Sequence, residues 1–245
     1  STRVTTTTSL AATPVTKFEL ETGAEYDSNL SVIELDQNSS EGAWSALANV
    51  RLNSQWQATE KMKLKGGLSY NSKTYQDYNE FDLAIKQAFI DTSYNFQRLT
   101  LGASYHYADA ELDNKDFLTL QQRSIYLSQL IRQTIFLRAA INDQDKAFPI
   151  SSLRNADNRS VTGDAFFFLN QGKTFFTVGL SRETENATVN EFDYDGTNFR
   201  ASVNHQFPLW NKTNRLQLGW RYDKRDYTAI TPVLNATRND ERRVT

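Results

Sequence analysis

Lys61, Lys63 and Lys65 recur at every second residue of the stretch KMKLKGGLSY. In an extended strand that spacing puts the three ammonium groups on one face. Glu19, Glu21 and Glu25 share one phase of KFELETGAEYD in the same way. Arg51, Arg98, Arg138, Arg200, Arg215 and Arg221, with Asp91, Asp164 and Asp223, fall on the matching phase of other alternating runs. Two chemistries fit such columns. Cations in series can form an electropositive path for an anionic solute or polymer. The same charges can also pair across strands as structural ladders. Both readings stay open at the level of sequence.

Other chemistry is thinner. Asp27 and Asn29 offer oxygen ligands, but no EF-hand spacing accompanies them, and an Asp-Ser-Asn turn accounts for the segment. Ser104 and His106 stand two apart on one face, without an elbow or oxyanion motif. His205 lies on the opposite, apolar phase. The acidic runs 109–116 and 183–195 could bridge divalent cations to lipopolysaccharide, although such charges more often keep loops solvated. Asn-x-Ser/Thr matches such as Asn211 and Asn235 matter only in a glycosylating compartment. With no cysteine, two histidines and one methionine, neither a thiolate metal site nor a haem site is expected. No enzyme, cofactor or metal is expected.

The elements that position these residues are strands. In RLTLGASYHY, Leu99, Leu101, Ala103, Tyr105 and Tyr107 alternate with Arg98, Thr100, Gly102, Ser104 and His106. NFRASVNHQF and RLQLGWRY repeat the pattern. Eleven strands are predicted, near 17–27, 43–56, 60–72, 80–95, 97–109, 117–130, 133–143, 158–170, 173–184, 193–207 and 213–225. A twelfth begins near Asn239. The apolar phase flips between Ile85 and Ala88, which predicts a bulge. A helical period is available for KQAFIDTSYNF and LSQLIRQTIFLRAAI, but each spans a turn between two alternating runs. Residues 1–16 are Thr-rich and read as a periplasmic linker, native or left by processing.

The connections alternate. Short ones fall at 57–59, 95–97, 131–132, 171–172 and 208–212, and long ones at 28–42, 73–79, 110–116, 144–157, 185–192 and 226–238. That sorting is expected of an outer-membrane barrel, whose short turns face the periplasm. No run approaches 18 apolar residues, so no helical span is expected, whereas strands of about 9–11 residues cross a membrane at barrel tilt. Charge is near balance, 27 Lys+Arg against 29 Asp+Glu, which argues against a nucleic-acid binder. Aromatic residues sort to the two ends of the apolar phase. Trp56, Tyr94, Phe96 and Phe207 lie at the short-turn end, with Trp210 in a turn. Tyr26, Trp44, Tyr70, Tyr105, Tyr107 and Tyr222 lie at the long-loop end. Two such girdles mark membrane interfaces.

The stretch Thr22-Gly-Ala-Glu-Tyr-Asp-Ser-Asn-Leu30 resembles the start of the outer-membrane β-barrel porin family of Gram-negative bacteria. That group includes barrels linked to exopolysaccharide export, and the barrel of the surface-lipoprotein assembly modifiers starts similarly. The resemblance implies a barrel that ends on an aromatic-closed strand. This chain ends Glu-Arg-Arg-Val-Thr245, so one or more C-terminal strands are expected to be missing from it.

The expectation is an all-β chain. Residues 17–245 form a transmembrane antiparallel up-and-down β-barrel of at least 12 strands in a Gram-negative outer membrane, in contact with its lipid and lipopolysaccharide. The expected function is a channel for a solute or polymer, an anionic exopolysaccharide being one example. The polar phase would line the lumen. A second reading is a structural barrel that docks a periplasmic or surface protein, its lumen filled by charged residues and by Phe136, Phe166, Phe168 and Phe175. Surface-lipoprotein translocation is a third reading.

Overall fold

A computed structural model describes residues 2–8, 14–27, 30–32, 37–39, 42–209, 212–227, 230–231, 236–237 and 241–244. Seventeen strands account for nearly all its regular structure. In chain order they are β1 (Thr2–Thr8), β2 (Val15–Asp27), β3 (Leu30–Val32), β4 (Gln37–Ser39), β5 (Ala43–Gln57), β6 (Met62–Tyr75), β7 (Leu83–Phe96), β8 (Leu99–Leu112) and β9 (Lys115–Ile131). They continue as β10 (Ile135–Ala147), β11 (Ala156–Leu169), β12 (Thr174–Ala187), β13 (Tyr194–Leu209), β14 (Lys212–Tyr227), β15 (Ile230–Thr231), β16 (Ala236–Thr237) and β17 (Glu241–Val244). Both segments that allowed a helical period are strands. No helix among the described residues is long and apolar enough to cross a membrane.

Thirteen strands pair in the order β1-β2-β5-β6-β7-β8-β9-β10-β11-β12-β13-β14-β17. Each long strand thus pairs with the next, the up-and-down arrangement that alternating runs and hairpin turns dictate. Eleven of the strands are long, from 13 residues in β2 to 17 in β9. The two at the ends of the order are shorter. Among the described residues no pairing joins β1 to β17, so the expected closed barrel of at least 12 strands is seen as an open order. The pairing of β17 with β14 covers only Tyr222↔Val244 to Arg225↔Glu241.

Two expectations are corrected here. The Thr-rich start is not a free linker throughout, because Thr2–Thr8 pair antiparallel with β2, from Thr2↔Thr22 to Thr8↔Thr16. Threonine is β-branched and favours extended backbone, while its uniform polarity hides any alternation. The connection expected at 110–116 is not long either. Strand β8 runs to Leu112, β9 starts at Lys115, and Asp113 and Asn114 turn between them with φ of 52° and 57°. Two consecutive positive φ values make the tight turn whose twist matches a hairpin, and Asp and Asn tolerate it. The acidic run 109–116 is therefore largely strand, and so is much of 183–195, since β12 extends to Ala187.

The chain divides into two compact units. The first holds residues 1–92, 104–121 and 146–152, and the second holds 93–103, 122–145 and 153–245. The apolar packing of the first unit is small and sits beside its longer connections. Leu30, Ala43 and Tyr75 are buried with Tyr78 and Phe81 against them, and Ala110, Leu112, Phe117 and Phe148 form a second cluster. Lys86 and Gln87 of β7 are both exposed, a break in alternation where the phase flip is expected.

Burial along the strands is inverted relative to a water-soluble sheet. In β9, Ile125 is 63% exposed and Leu127 44%, whereas Ser124 and Ser128 keep 5% and 7%. Elsewhere Leu68, Leu101, Leu180 and Leu218 are exposed while Glu19, Ser45, Asn158 and Asn204 are buried. The apolar phase faces outward in each unit and the polar phase is the sheltered one.

Candidate functional site

The polar face of the first unit is built by β2, β5 and β6. Register places Glu19 opposite Arg51, Glu21 opposite Asn49 and Glu25 opposite Ser45. It also places Lys63 and Lys65 opposite Gln57 and Gln55. Cross-strand partners share a face, so these charges lie together as their spacing requires. Lys61 does not join them. It sits in the turn before β6, one residue outside the strand that was expected to start at 60. Thr59 explains the shift, since its Oγ1 accepts from the backbone N–H of Lys61 and of Met62 and holds the turn open by that length.

Charges at the two ends of these strands differ in kind. At the long-loop end Lys73 Nζ lies 2.6 Å from Asp27 Oδ2 and 3.1 Å from Glu25 Oε2. The Tyr75 hydroxyl donates to Asp27 Oδ2 at 2.7 Å, and Asp82 Oδ1 accepts from the Tyr75 backbone N–H. At the short-turn end Lys17 pairs with Glu19. Lys61, Lys63, Lys65 and Arg51 make no ion pair among the described residues.

The second unit repeats the division. On its polar face Arg200 donates to Asp164 Oδ1 at 2.5 Å, and Arg221 Nε lies 2.7 Å from Asp223 Oδ2. Asn198 donates to the same aspartate. Arg200 and Arg221 face each other in register. Like charges directly opposite repel, and Asp164 and Asp223 offset that. Gly179 makes room for the first pair. A Cβ there would lie 2.5 Å from Arg200 Nε and 2.6 Å from Asp164 Oδ1. The Arg138 guanidinium lies over the Tyr126 ring, 4.2 Å from its centroid, and its buried Nε has no hydrogen-bond partner. Arg215, opposite Gln206, makes no ion pair among the described residues. Arg98 belongs to the Gln97–Arg98 turn rather than to a strand, because Gln97 takes a φ of 64° to reverse the chain.

Near the longer connections of this unit a polar cluster forms that composition does not reveal. Asn158 Nδ2 donates to Glu183 Oε2 at 3.3 Å and Glu185 Oε2 at 3.1 Å, and the Tyr194 hydroxyl donates to Glu185 at 3.0 Å. Arg225 covers the Tyr194 ring. The sequence signal was present as the Glu183–Glu185 spacing, but reading 183–195 as a loop concealed it. Phe166, Phe168 and Phe175 share the polar face, with Phe168 opposite Phe175. The Phe136 and Phe166 rings meet at a tilt, with centroids 5.7 Å apart.

Of the expected girdle, Tyr26 and Trp44 face each other in register with ring centroids 5.5 Å apart, and both are exposed. Trp56, Tyr70, Tyr94, Phe96, Tyr105 and Tyr107 are exposed as well. Phe207 and Tyr222 are half-buried, Phe207 against His205 and Tyr222 against Trp220. Trp210, Ser28, Asn29, Asn211 and Asn235 lie outside the described residues. No group of three or more His, Asp or Glu among the described residues could hold a metal. Ser104 Oγ is buried without a hydrogen-bond partner, so it is not bonded to His106, whose ring stacks on Phe89.

No family model matches the chain, and no curated protein matches it. Among solved structures it is similar to OmpT, an outer membrane protein of Vibrio cholerae folded in vitro. The trimer form gives 12% identity over 93% of this chain and 94% of that one, with a TM-score of 0.41. A second OmpT structure gives 11% identity over 95% and 92%, also at 0.41. The likeness to porin, exopolysaccharide-export and lipoprotein-assembly barrels therefore stands on residues 22–30 alone.

Proposed function

We propose that this chain is an outer-membrane β-barrel of a Gram-negative bacterium that conducts a solute or polymer, with preference for anions. The observation that carries the reading is the inverted alternation along the strands, with residues such as Leu68, Ile125, Leu180 and Trp44 outward and Glu19, Ser45, Ser124, Ser128, Asn158 and Asn204 sheltered. In water an outward apolar face of this extent has no driving force, whereas in lipid it is the favoured one. Lipid also demands that every backbone N–H and C=O find a partner, so the reading requires the sheet to close. Anion preference is supported by the uneven pairing of charge. Lys63, Lys65 and Arg215 carry no carboxylate near the short-turn end of their units, while Lys73, Arg200 and Arg221 are neutralised farther along.

Single-channel recording on the protein in a planar bilayer, with a salt gradient to set the reversal potential, tests this. A steady conductance is expected, with an anion preference that falls in the K63Q/K65Q variant. A folded protein without conductance overturns the conduit. A second reading, a filled barrel that anchors or docks a protein, would then lead. Phe136, Phe166, Phe168 and Phe175 favour it, because aromatic rings on the polar face take up space that water and ions need.

A further inference from the structure

The outward face of the second unit carries a groove of about 440 Å³. Its floor is formed at Gly163 and Ala165 of β11, and its walls include Leu137 of β10 and Val178 and Leu180 of β12. Register sets Gly163 opposite Leu180 and Ala165 opposite Val178, so these residues share one face. A Cβ added at Gly163 would meet nothing within 4 Å, and the groove is therefore open space rather than a packed seam.

The same two strands lead from the groove to cations. Arg182 follows Leu180 on the same face of β12, one same-face step of about 7 Å along the strand. Arg159 lies two such steps from Gly163 on β11, past Val161, which pairs in register with Arg182. Both arginines are exposed. Arg159 Nε lies 3.2 Å from Asp143 Oδ2, and Arg123 approaches Oδ1 of the same carboxylate. Lys224, two strands from Arg182, is held by Asp226 at 2.6 Å. Arg182 makes no ion pair among the described residues.

We propose that this groove and Arg182, supported by Arg159, bind one anionic lipid of the outer leaflet, a phosphorylated acylated glycolipid. An acyl chain lies over Gly163 between the Leu137 and Leu180 walls. The phosphate meets the Arg182 guanidinium where the apolar band gives way to charge. Arginine suits that position because its planar fork donates two parallel hydrogen bonds to phosphate oxygens. Apolar groove and cation are matched end to end by the two ends of such a lipid. The inference rests on the membrane reading above and makes it specific to one patch.

Native mass spectrometry of the folded protein tests it, with lipid A, phosphatidylcholine and inorganic phosphate as probes. Lipid A adducts are expected to exceed phosphatidylcholine adducts and to fall about tenfold in R182Q, the loss of one charge-assisted contact. R182K is expected to restore part of the binding. G163L, which fills the floor, is expected to weaken lipid A and phosphatidylcholine alike, while circular dichroism shows each variant folded. Equal binding of lipid A by R182Q and the parent overturns the proposal. So does full competition by inorganic phosphate, which would leave a phosphate site without a lipid. An oligomer that forms without lipid and dissociates in G163L overturns it in favour of a second copy of the chain. A protein that inserts in bilayers but shows no lipid preference sinks this inference alone. One that does not insert sinks the membrane reading.

Discussion

Gly179 shows how much the polar face depends on single atoms. Arg200 and Asp164 come together across a position where no side chain stands, and a Cβ would overlap both. Gly102 does the same for the Tyr126 ring, which lies directly on it, with the Arg138 guanidinium over that ring in turn. A Gly179→Val substitution is expected to separate the ion pair and to destabilise the fold by about 1–3 kcal/mol, the usual cost of overpacking. Urea unfolding in detergent micelles checks this, and an unchanged midpoint would show that the pair can move aside without loss. The exposed flank of the same pair argues for a modest electrostatic share. Arg200 keeps 53% of its side-chain surface against 11% for Asp164, so packing and not charge dominates the expected cost.

At the scale of the element, period-two alternation explains both the strands and their two faces. Strand β14 carries Leu216, Leu218 and Trp220 on one phase and Gln217, in register with Asn204, on the other. Leu218→Arg near the middle of β14 is expected to cost about 2–4 kcal/mol in a lipid environment. Its neighbour Gln217→Ala is expected to change stability by less than about 0.5 kcal/mol. Equilibrium unfolding from phospholipid vesicles compares them, and equal costs would mean that the two faces have the same solvent. Turns supply the other part of the element. Gln97, Asp113, Asn114, Arg132, Gln133, Asn170 and Gln171 all take positive φ, mostly without glycine, so the hairpins are set by short loop length rather than by residue type.

For the whole molecule, outward apolar residues predict behaviour in water as well as in lipid. The chain is expected to remain without stable β-structure when diluted from urea into buffer, and to gain it on addition of phospholipid vesicles or micelles. Circular dichroism with protease protection reads the change. Stable, protected β-structure in buffer alone would contradict a lipid-facing exterior. The long connections do not weaken this expectation. Leu30, Ala43 and Tyr75, and separately Phe117 and Phe148, give some of them small apolar cores of their own.

The positions and order of the long strands were legible in the sequence because a pleat turns each residue over, so alternation of residue type records two different surroundings. Eleven expected strands overlap the eleven long ones. Ends of strands were less legible. Lys61 and Arg98 fell into turns, and Asp113–Asn114 closed a connection expected to be long, because turn geometry depends on a few φ values and local hydrogen bonds rather than on periodicity. Thr2–Thr8 paired without any alternation to announce it. Which cations are neutralised, which glycine leaves room for an ion pair, and where the outward face opens into a groove were decided only by tertiary structure. The sheet brings together residues tens of positions apart, such as Asp27 with Lys73 and Asp164 with Arg200, and no local pattern encodes that distance.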